Sequence, residues 1–536
     1  MNTQRHEDIA ILGGGLAGLT LALQLRQRLP AAGITVLEKR RHPVPVAAHK
    51  VGESSVEIAA NYFDTVLGLG EHMAACQLKK FGFRFFFSDG RSDIDAVTEL
   101  GASRYLATPS YQIDRGIFEN YLAERAAACG VRFIDDCAVQ ELTTGSGGEP
   151  HRIAYTRNAS EPEILSTRWL VDASGRAGLL KRKFGLAETN AHNANAAWFR
   201  IASRINVDDW SANEAWHGLC EPPARWLSTN HLCGDGYWVW LIPLSSGSHS
   251  VGIVADERTH PFETINSFER SMEWLRVHQP RLALELEGKR GLVQDFIAFR
   301  RFSYGCRKLF SGDRWAITGD AGLFLDPFYS PGGDFIAISN TYVTDLVARE
   351  LAGEPCGPRA AICERFLRTF YESMLTLYVD QYGIFGDPQV LPIKVLWDYT
   401  SYWGVLCQIF FQRRLTDLAA LTALRLELTG AMSLNDAMQL FLRQWSGRSR
   451  RENRPIMLDQ ASLGWFVELN RGLRDQLDDG AFRQRIRETT AQFAALADQI
   501  VHRACGECPG LDATAVRSLL PKSDTNATVS MLFDAA

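Results

Sequence analysis

The chain lacks any apolar run near the roughly 18 consecutive residues that a membrane-spanning helix needs, so no transmembrane segment is expected. It also lacks a strong charge of one sign. Lys and Arg number 57 against 62 Asp and Glu, a net charge of −5, which gives no electrostatic reason for nucleic acid to bind. The amino terminus runs straight into an apolar strand without a leader-like region, so a cytoplasmic location is expected. No internal repeat is present. The eleven cysteines have no disulfide-like rhythm, which suits reduced thiols. Cys505 and Cys508 form one CxxC beside His502, but no second ligand pair accompanies them, and no metal is expected. With 536 residues, 46% of them hydrophobic, the chain exceeds a single small core, and two or three structural units are expected.

What is present is concentrated in residues 8–40, DIAILGGGLAGLTLALQLRQRLPAAGITVLEKR. Ile9, Ala10, Ile11 and Leu12 read as a buried parallel strand. Gly13, Gly15 and Gly18 follow in the G-x-G-x-x-G pattern, with Ala17 inside the turn. Gly13 permits the tight turn, Gly15 lets backbone approach a pyrophosphate, and Gly18 brings helix close to strand. Residues 16–29 have helical periodicity, which aims free N–H groups and a positive dipole end at phosphates. A second strand, 34–37, ends at Glu38, twenty positions after Gly18, with Arg40 beside it. That acid is placed for an adenosine ribose.

Further along, His49-Lys50-Val51-Gly52-Glu53-Ser54-Ser55 reads either as a loop at a cofactor edge or as a helix cap, with Ser54 or Ser55 capping and Glu57 in the first turn. Phe81, Phe83, Phe85 and Phe87 alternate, which predicts a strand with one aromatic face and Lys79 and Lys80 at its start. Residues 111–128 read as helix and 131–134 as strand. Gly147, Gly148, Glu149 and Pro150 mark a turn-rich hairpin. A strand at 169–171 leads into Asp172-Ala-Ser-Gly-Arg176. Residues 197–256 are strand-like, with a hairpin turn at 245–247. A strand at 315–318 ends in Gly319-Asp320, and a helix is expected beyond Gly333. Residues 364–505 look mainly helical. The aromatic stretch 396–411 is a candidate cavity cover or dimer contact, alongside an ordinary core helix. Residues 523–536 are expected to be loosely held.

Four features together resemble the FAD-dependent aromatic hydroxylase and halogenase superfamily. They are GGGLAG with Glu38, Arg115 on an early helix, DASGR at Asp172–Arg176, and ITGDAGLFLDP from Ile317. The resemblance implies that Gly319 and Asp320 meet the ribityl chain of FAD, that Arg115 lies near its pyrophosphate, and that Gly332 and Gly333 lie beside the flavin. Trp238-Val-Trp240-Leu-Ile-Pro243 is similar to the W-x-W-x-I-P signature of flavin-dependent halogenases. The two indoles stand two apart and so share one face of a strand. Lys80-Phe-Gly82-Phe-Arg-Phe85 is similar to the pattern around the halogenase lysine, which is held to guide hypohalous acid to the substrate. Lys79 is the adjacent competitor and should point the other way.

The implied fold is α/β: a Rossmann-like FAD-binding domain of the glutathione-reductase type, an antiparallel substrate-domain sheet and a mainly helical carboxyl-terminal region. The expected division assigns 1–78, 111–185 and 301–355 to the FAD-binding domain, 79–110 and 186–300 to the sheet, and 356–536 to the helices. The resemblance implies FAD supplied already reduced, with halide as co-substrate. No second glycine-rich βαβ unit is visible, so a flavin reductase partner is expected, and a homodimer is compatible with the aromatic stretch. The sequence departs from the family after Asp326-Pro327, where a halide-binding Ser-Ser-Gly or Ser-Thr-Gly element is usual. Here Phe328-Tyr329-Ser330-Pro331-Gly332-Gly333-Asp334 stands instead. Pro331 has no N–H to offer an anion, and Asp334 would repel one unless it faces away. Tyr329 replaces the glutamate of indole-substrate halogenases, which argues for a phenolic, pyrrolic or polyene-like acceptor, free or carrier-tethered. A non-halogenating FAD-dependent monooxygenase or oxidoreductase is the alternative.

Overall fold

In the computed structural model, residues 5–47, 49–157, 161–521 and 530–533 are described. The chain divides into two compact units. The first comprises Met1–Gln77, Ile113–Asn190 and Ser303–Tyr371, and the second Leu78–Gln112, Ala191–Phe302 and Glu372–Ala536.

The first unit is built on a sheet whose parallel strands run, in spatial order, Arg132–Ile134, Ile34–Leu37, Arg5–Leu12, Glu163–Asp172 and Trp315–Ile317. Strands His151–Arg157 and Cys137–Thr143 add to it in antiparallel fashion. Ile9, Ala10, Ile11 and Val36 are fully buried, as apolar strands in the middle of a covered parallel sheet must be. The register aligns Leu12 with Leu37 and with Asp172, and Asp172 with Ile317. Four strands therefore end level, and the segments beginning at Gly13, Glu38, Ala173 and Thr318 gather at one edge. That edge is where open α/β sheets bind ligands. Helices Leu16–Arg28, Arg115–Ala128 and Gly332–Leu351 belong to this unit.

The second unit is built on an eight-stranded sheet in the order Val293–Phe299, Ala194–Ile201, His249–Asp256, Tyr237–Pro243, Thr229–Gly234, Phe83–Phe86, Glu99–Gly101, Met457–Asp459. One face packs Phe86, Phe199, Leu232, Val239, Leu241, Val251 and Ile253 against Met272, Leu275, Leu282 and Leu286 of helices Phe268–His278 and Pro280–Glu287. Period-two alternation sends the other residues of these strands to the opposite face.

Several local expectations change. The alternating phenylalanines make a shorter strand, Phe83–Phe86, buried on both faces, and Phe81 precedes it, packed on Tyr105. Residues Tyr111 and Gln112 are not helical. They pair with Leu78–Lys79, and the helix starts only at Arg115 after Asp114. Val56, rather than Ser54 or Ser55, is the residue directly before helix Glu57–Asn61, and Glu57 stands in its first turn as expected. The region expected to be wholly sheet contains two amphipathic helices, because Ser271, Met272, Trp274 and Leu275 recur at helical spacing. The carboxyl-terminal third is mainly helical but contributes strand Met457–Asp459, whose parallel partner Glu99–Gly101 lies far upstream in the chain. Of residues 523–536, most lie outside the described residues. Met531, Leu532 and Phe533 are buried, with Met531 N–H donating to Gln499 Oε1 at 2.7 Å, so that stretch is docked rather than loose. No helix among the described residues is long and apolar enough to cross a membrane.

Candidate functional site

The glycine turn is fixed by close approach. Gly13 has φ +109°, and a Cβ there would lie 2.4 Å from the Ala173 carbonyl oxygen. A Cβ on Gly18 would lie 2.0 Å from the Gly13 carbonyl oxygen, so only glycine lets the helix sit this near the strand. Gly15 differs. A Cβ there meets only Glu119 Oε1, at 4.0 Å, so the chain leaves that side open. The Glu38 carboxylate accepts from Gly14 N–H at 2.5 Å and from Arg40 N–H at 2.7 Å, which ties the end of the second strand to the turn. Ala17 packs toward Gly319.

A cationic cluster stands beside this turn. Arg115 donates to Val51 O at 2.6 Å and to Glu119 Oε1 at 2.6 and 3.1 Å, and Lys50 contacts Glu119 directly. Burial and the like charges of Arg115 and Arg40 push the Lys50 ammonium down to about 7, against the pull of Glu38. Burial lowers Arg115, against the pull of Asp320 and Glu53. Burial raises Asp320, against Arg115, Arg176 and Lys181. The fold thus brings Gly13, Gly15, Ala17, Gly18, Glu38, Arg40, Arg115, Gly319 and Asp320 to one sheet edge. Ser54 is buried, and a Cβ on Gly52, two residues before it, would lie 3.1 Å from Arg115 Nη1. Lys50, Glu119, Arg176 and Lys181 were missed as site candidates. Lys50 had a signal in the Gly-Glu-Ser loop, whereas the others depend on packing.

Asp172 is committed internally. Its Oδ1 accepts from Ser174 N–H and Oγ–H, at 3.0 and 2.5 Å, and its Oδ2 accepts from Leu180 N–H at 2.6 Å. Fully buried, it holds the turn rather than offering an oxygen to a ligand. The Gly319–Asp320 turn is anchored through Thr318, whose hydroxyl bonds Ser339 and Asn340, while Asn340 Nδ2 donates to Ala17 O and Thr20 Oγ1. These bonds lock helix Gly332–Leu351 to the glycine-turn helix. Ser330 has φ +53° and Pro331 precedes the helix. Asp334 is buried, and its Oδ1 accepts from Ala59 N–H at 2.9 Å, so that oxygen is turned to protein backbone. Gly332 and Gly333 open this 20-residue helix, where N–H groups have no intrahelical acceptor.

The remaining candidates lie in the second unit. Lys80 is 3% exposed, its N–H donates to Ser110 O at 2.9 Å, and its Nζ lies 3.4 Å from the centroid of the Phe83 ring. Lys79 is exposed, over Tyr105. Register places Phe85, His231, Trp240, Gly252 and Trp198 in one row across the sheet. Ring centroids step from Phe83 to His231 at 5.3 Å, to Trp238 at 5.1 Å, to Trp240 at 5.7 Å and to Trp198 at 6.3 Å. Gly252 makes room for the Trp240 indole, which passes within 2.1 Å of where a Cβ would sit. Trp238 Nε1–H donates to Tyr382 and Trp240 Nε1–H to Ser250. Pro243 ends the strand, opposite His249. The backbone around Lys80 is held from below. Arg84 Nε donates to Ser228 Oγ at 3.3 Å, and that hydroxyl donates to Phe81 O at 3.0 Å. Arg84 and Arg225 both pair with buried Glu99, which also accepts from the Trp216 indole.

The eleven cysteines are free, and no group of three or more His, Cys, Asp or Glu among the described residues could hold a metal. Residues 6–261 match the family model of an FAD binding domain. The flavin-dependent halogenase chlA of Dictyostelium discoideum is 26% identical over 480 residues, 80% of this chain and 77% of that protein. The 1H-pyrrole-2-carbonyl-[peptidyl-carrier protein] brominase of Pseudoalteromonas luteoviolacea is 25% identical over 359 residues, 66% of this chain and 80% of that protein. Among solved structures, halogenase PltM in complex with phloroglucinol and FAD superposes with a TM-score of 0.66 at 16% identity, over 91% of this chain and 96% of that one, a likeness of fold.

Proposed function

We infer that this chain, an FAD-dependent oxidoreductase of the flavin-dependent halogenase family, halogenates an electron-rich aromatic acceptor. The residues at the sheet edge fit FAD: the open side of Gly15 and the Lys50 and Arg115 cations suit a pyrophosphate, and Glu38 suits a ribose. Bound and reduced, FAD supplies the two electrons with which dioxygen is activated toward halide. Gly332 and Gly333 would offer the halide N–H donors at the positive end of a helix.

The observation that carries the reading is Lys80. Its ammonium is withdrawn from water and set over the Phe83 ring, beside the tryptophan row. An ammonium so placed can donate a hydrogen bond to hypohalous acid and orient its halogen toward an aromatic carbon. The exposed Lys79 cannot hold such a reagent away from water. The reduced flavin would come from a separate reductase, and the cytoplasm suits that supply. A carrier-tethered acceptor is the finer form of this reading, as the name of the brominase relative suggests.

The test supplies the full chain with a flavin reductase, NADH, oxygen, chloride or bromide and phenolic acceptors. Lys80→Ala should lower halogenated product by about 10²–10⁴-fold, the usual reach of a positioned proton donor, with FAD retention unchanged. Product formation that survives the substitution removes Lys80 from the mechanism. Pro331 favours one other reading, a non-halogenating monooxygenase, because it deletes an N–H from the loop before the helix. A hydroxylated product formed equally well without halide would select that reading.

A further inference from the structure

Within the first unit, a buried carboxylate stands where the fold prepares for an anion. Helix Arg115–Ala128 packs beside the glycine-turn helix Leu16–Arg28, and neither carries an acid in its first turn. Arg115 opens its own helix, where the dipole disfavours a cation, and Lys50 reaches the same place from the loop before Gly52. Glu119 serves both cations. Its Oε1 accepts from Arg115 Nε–H and Nη2–H at 3.1 and 2.6 Å, and Lys50 contacts its Oε2. The carboxylate is 2% exposed. Cation first and acid one turn later is the weaker order for an ion pair along a helix, so helix stability does not account for the pair.

The same carboxylate faces the glycine turn. A Cβ on Gly15 would meet Glu119 Oε1 at 4.0 Å and nothing nearer. The side from which backbone can approach a pyrophosphate is therefore the side on which Glu119 lies. A guanidinium carries five N–H groups, and the three bonds of Arg115 to Glu119 and Val51 leave two for an anion among the described residues. A diphosphate arriving there gains the attraction of Arg115 and Lys50 and meets the repulsion of Glu119. The other acids nearby act at longer range: Glu53 and Asp320 pull on Arg115, and Glu38 pulls on Lys50 while accepting from Gly14 and Arg40 N–H.

We propose that Glu119 is the resident counter-ion of the pyrophosphate site: it holds Lys50 and Arg115 beside the glycine turn and, through its own negative charge, limits how tightly the diphosphate of FAD is held. One residue thus sets folding against affinity, since the carboxylate stabilises two buried cations and opposes the ligand they attract. Affinity differences of this kind lie mostly in the off-rate. The effect is a faster release of flavin, which suits supply of reduced flavin by a separate reductase. This rests on FAD binding at the sheet edge and not on the halogenation step.

The test measures FAD, ADP and adenosine binding to the full chain by calorimetry, which needs no turnover. Glu119→Gln keeps an oxygen for Arg115 and removes the charge. It should bind FAD and ADP about tenfold more tightly, the reach of one like charge at the effective dielectric of a protein surface, and release FAD correspondingly more slowly. Adenosine, which has no phosphate, should bind it as it binds the wild type. Without flavin its Tm should fall by about 2–4 °C, because two buried cations lose their carboxylate. A merely structural role would lower Tm and FAD affinity together. Lys50→Met should weaken FAD binding about tenfold, and Lys50→Met/Glu119→Gln, whose cluster keeps the wild-type net charge, should return to within about threefold of the wild type. The double variant carries the test if Glu119→Gln alone does not fold. Unchanged or weaker FAD binding in Glu119→Gln, a gain shared by adenosine, or no recovery in the double variant would each overturn the proposal. FAD affinity indifferent to both Lys50→Met and Arg115→Gln would instead overturn the pyrophosphate reading of the cluster on which the proposal rests.

Discussion

The glycine turn of the first unit and the lysine-bearing sheet of the second are made of different material. At the turn, backbone does the work: four strands end level, two glycines admit contacts that a Cβ would block, and N–H groups are left facing outward. Around Lys80 the side chains decide, with rings in a row on one face and a buried arginine pair underneath. The glycine turn itself is set by local sequence, while the level strand ends come from pairing between distant segments. Side-chain sites depend on what distant segments deliver.

Four measurements can break or sharpen that contrast. The largest effect belongs to the buried charges. Glu99→Gln leaves Arg84 and Arg225 without their shared carboxylate, and urea unfolding should show a loss of about 3–5 kcal/mol. A loss below about 1 kcal/mol would mean that the arginines hold the Lys80 segment without it. Next, Gly18→Ala forces a methyl group against the Gly13 carbonyl, so about 1–3 kcal/mol of stability and most FAD retention should go together.

The third measurement is a pH dependence. His249 is fully buried, and burial first, then Lys289 and Arg204, pushes it down to about 3. The unfolded chain takes up this proton near pH 6.5 and the folded chain does not. Stability is therefore greatest above about 6.5 and falls by roughly 1.4 kcal/mol per unit as pH drops toward 3. A His249→Gln variant should lose that component of the slope in denaturation measured between pH 6.5 and 4. The smallest effect on stability is expected from Gly15→Ala, within about 0.5 kcal/mol, because the added methyl meets only Glu119 Oε1 at 4.0 Å. Its FAD affinity should nevertheless fall about tenfold or more, as read by flavin fluorescence. If Gly15→Ala retains FAD as the wild type does, the open side of that residue is not where the pyrophosphate lies.

Much of the first unit was readable because its signals are contiguous. Strand, turn, helix and acid occur within residues 8–40, and strand Ile34–Leu37 falls where the apolar run places it. The role of Asp172 was less readable. Asp-Ala-Ser-Gly marks a turn, but nothing local says that both carboxylate oxygens are spent on Ser174 and Leu180. Asp334 is similar, since nothing local says that its Oδ1 accepts from Ala59 N–H. In the second unit, alternation hinted at Phe83 and Phe85 on a shared face, yet their neighbours His231 and Trp238 arrive through non-local pairing.

By itself the sequence determined the glycine turn and the one-sided tryptophan pair, because glycine sterics and the two-residue period of a strand act over a few residues. The tertiary structure alone decided that Lys80 is buried while Lys79 is exposed, that Asp334 Oδ1 accepts from Ala59 N–H, and that level strand ends gather at one edge. Those outcomes turn on segments tens to hundreds of residues apart meeting in one core, and no local pattern encodes the partner a side chain meets.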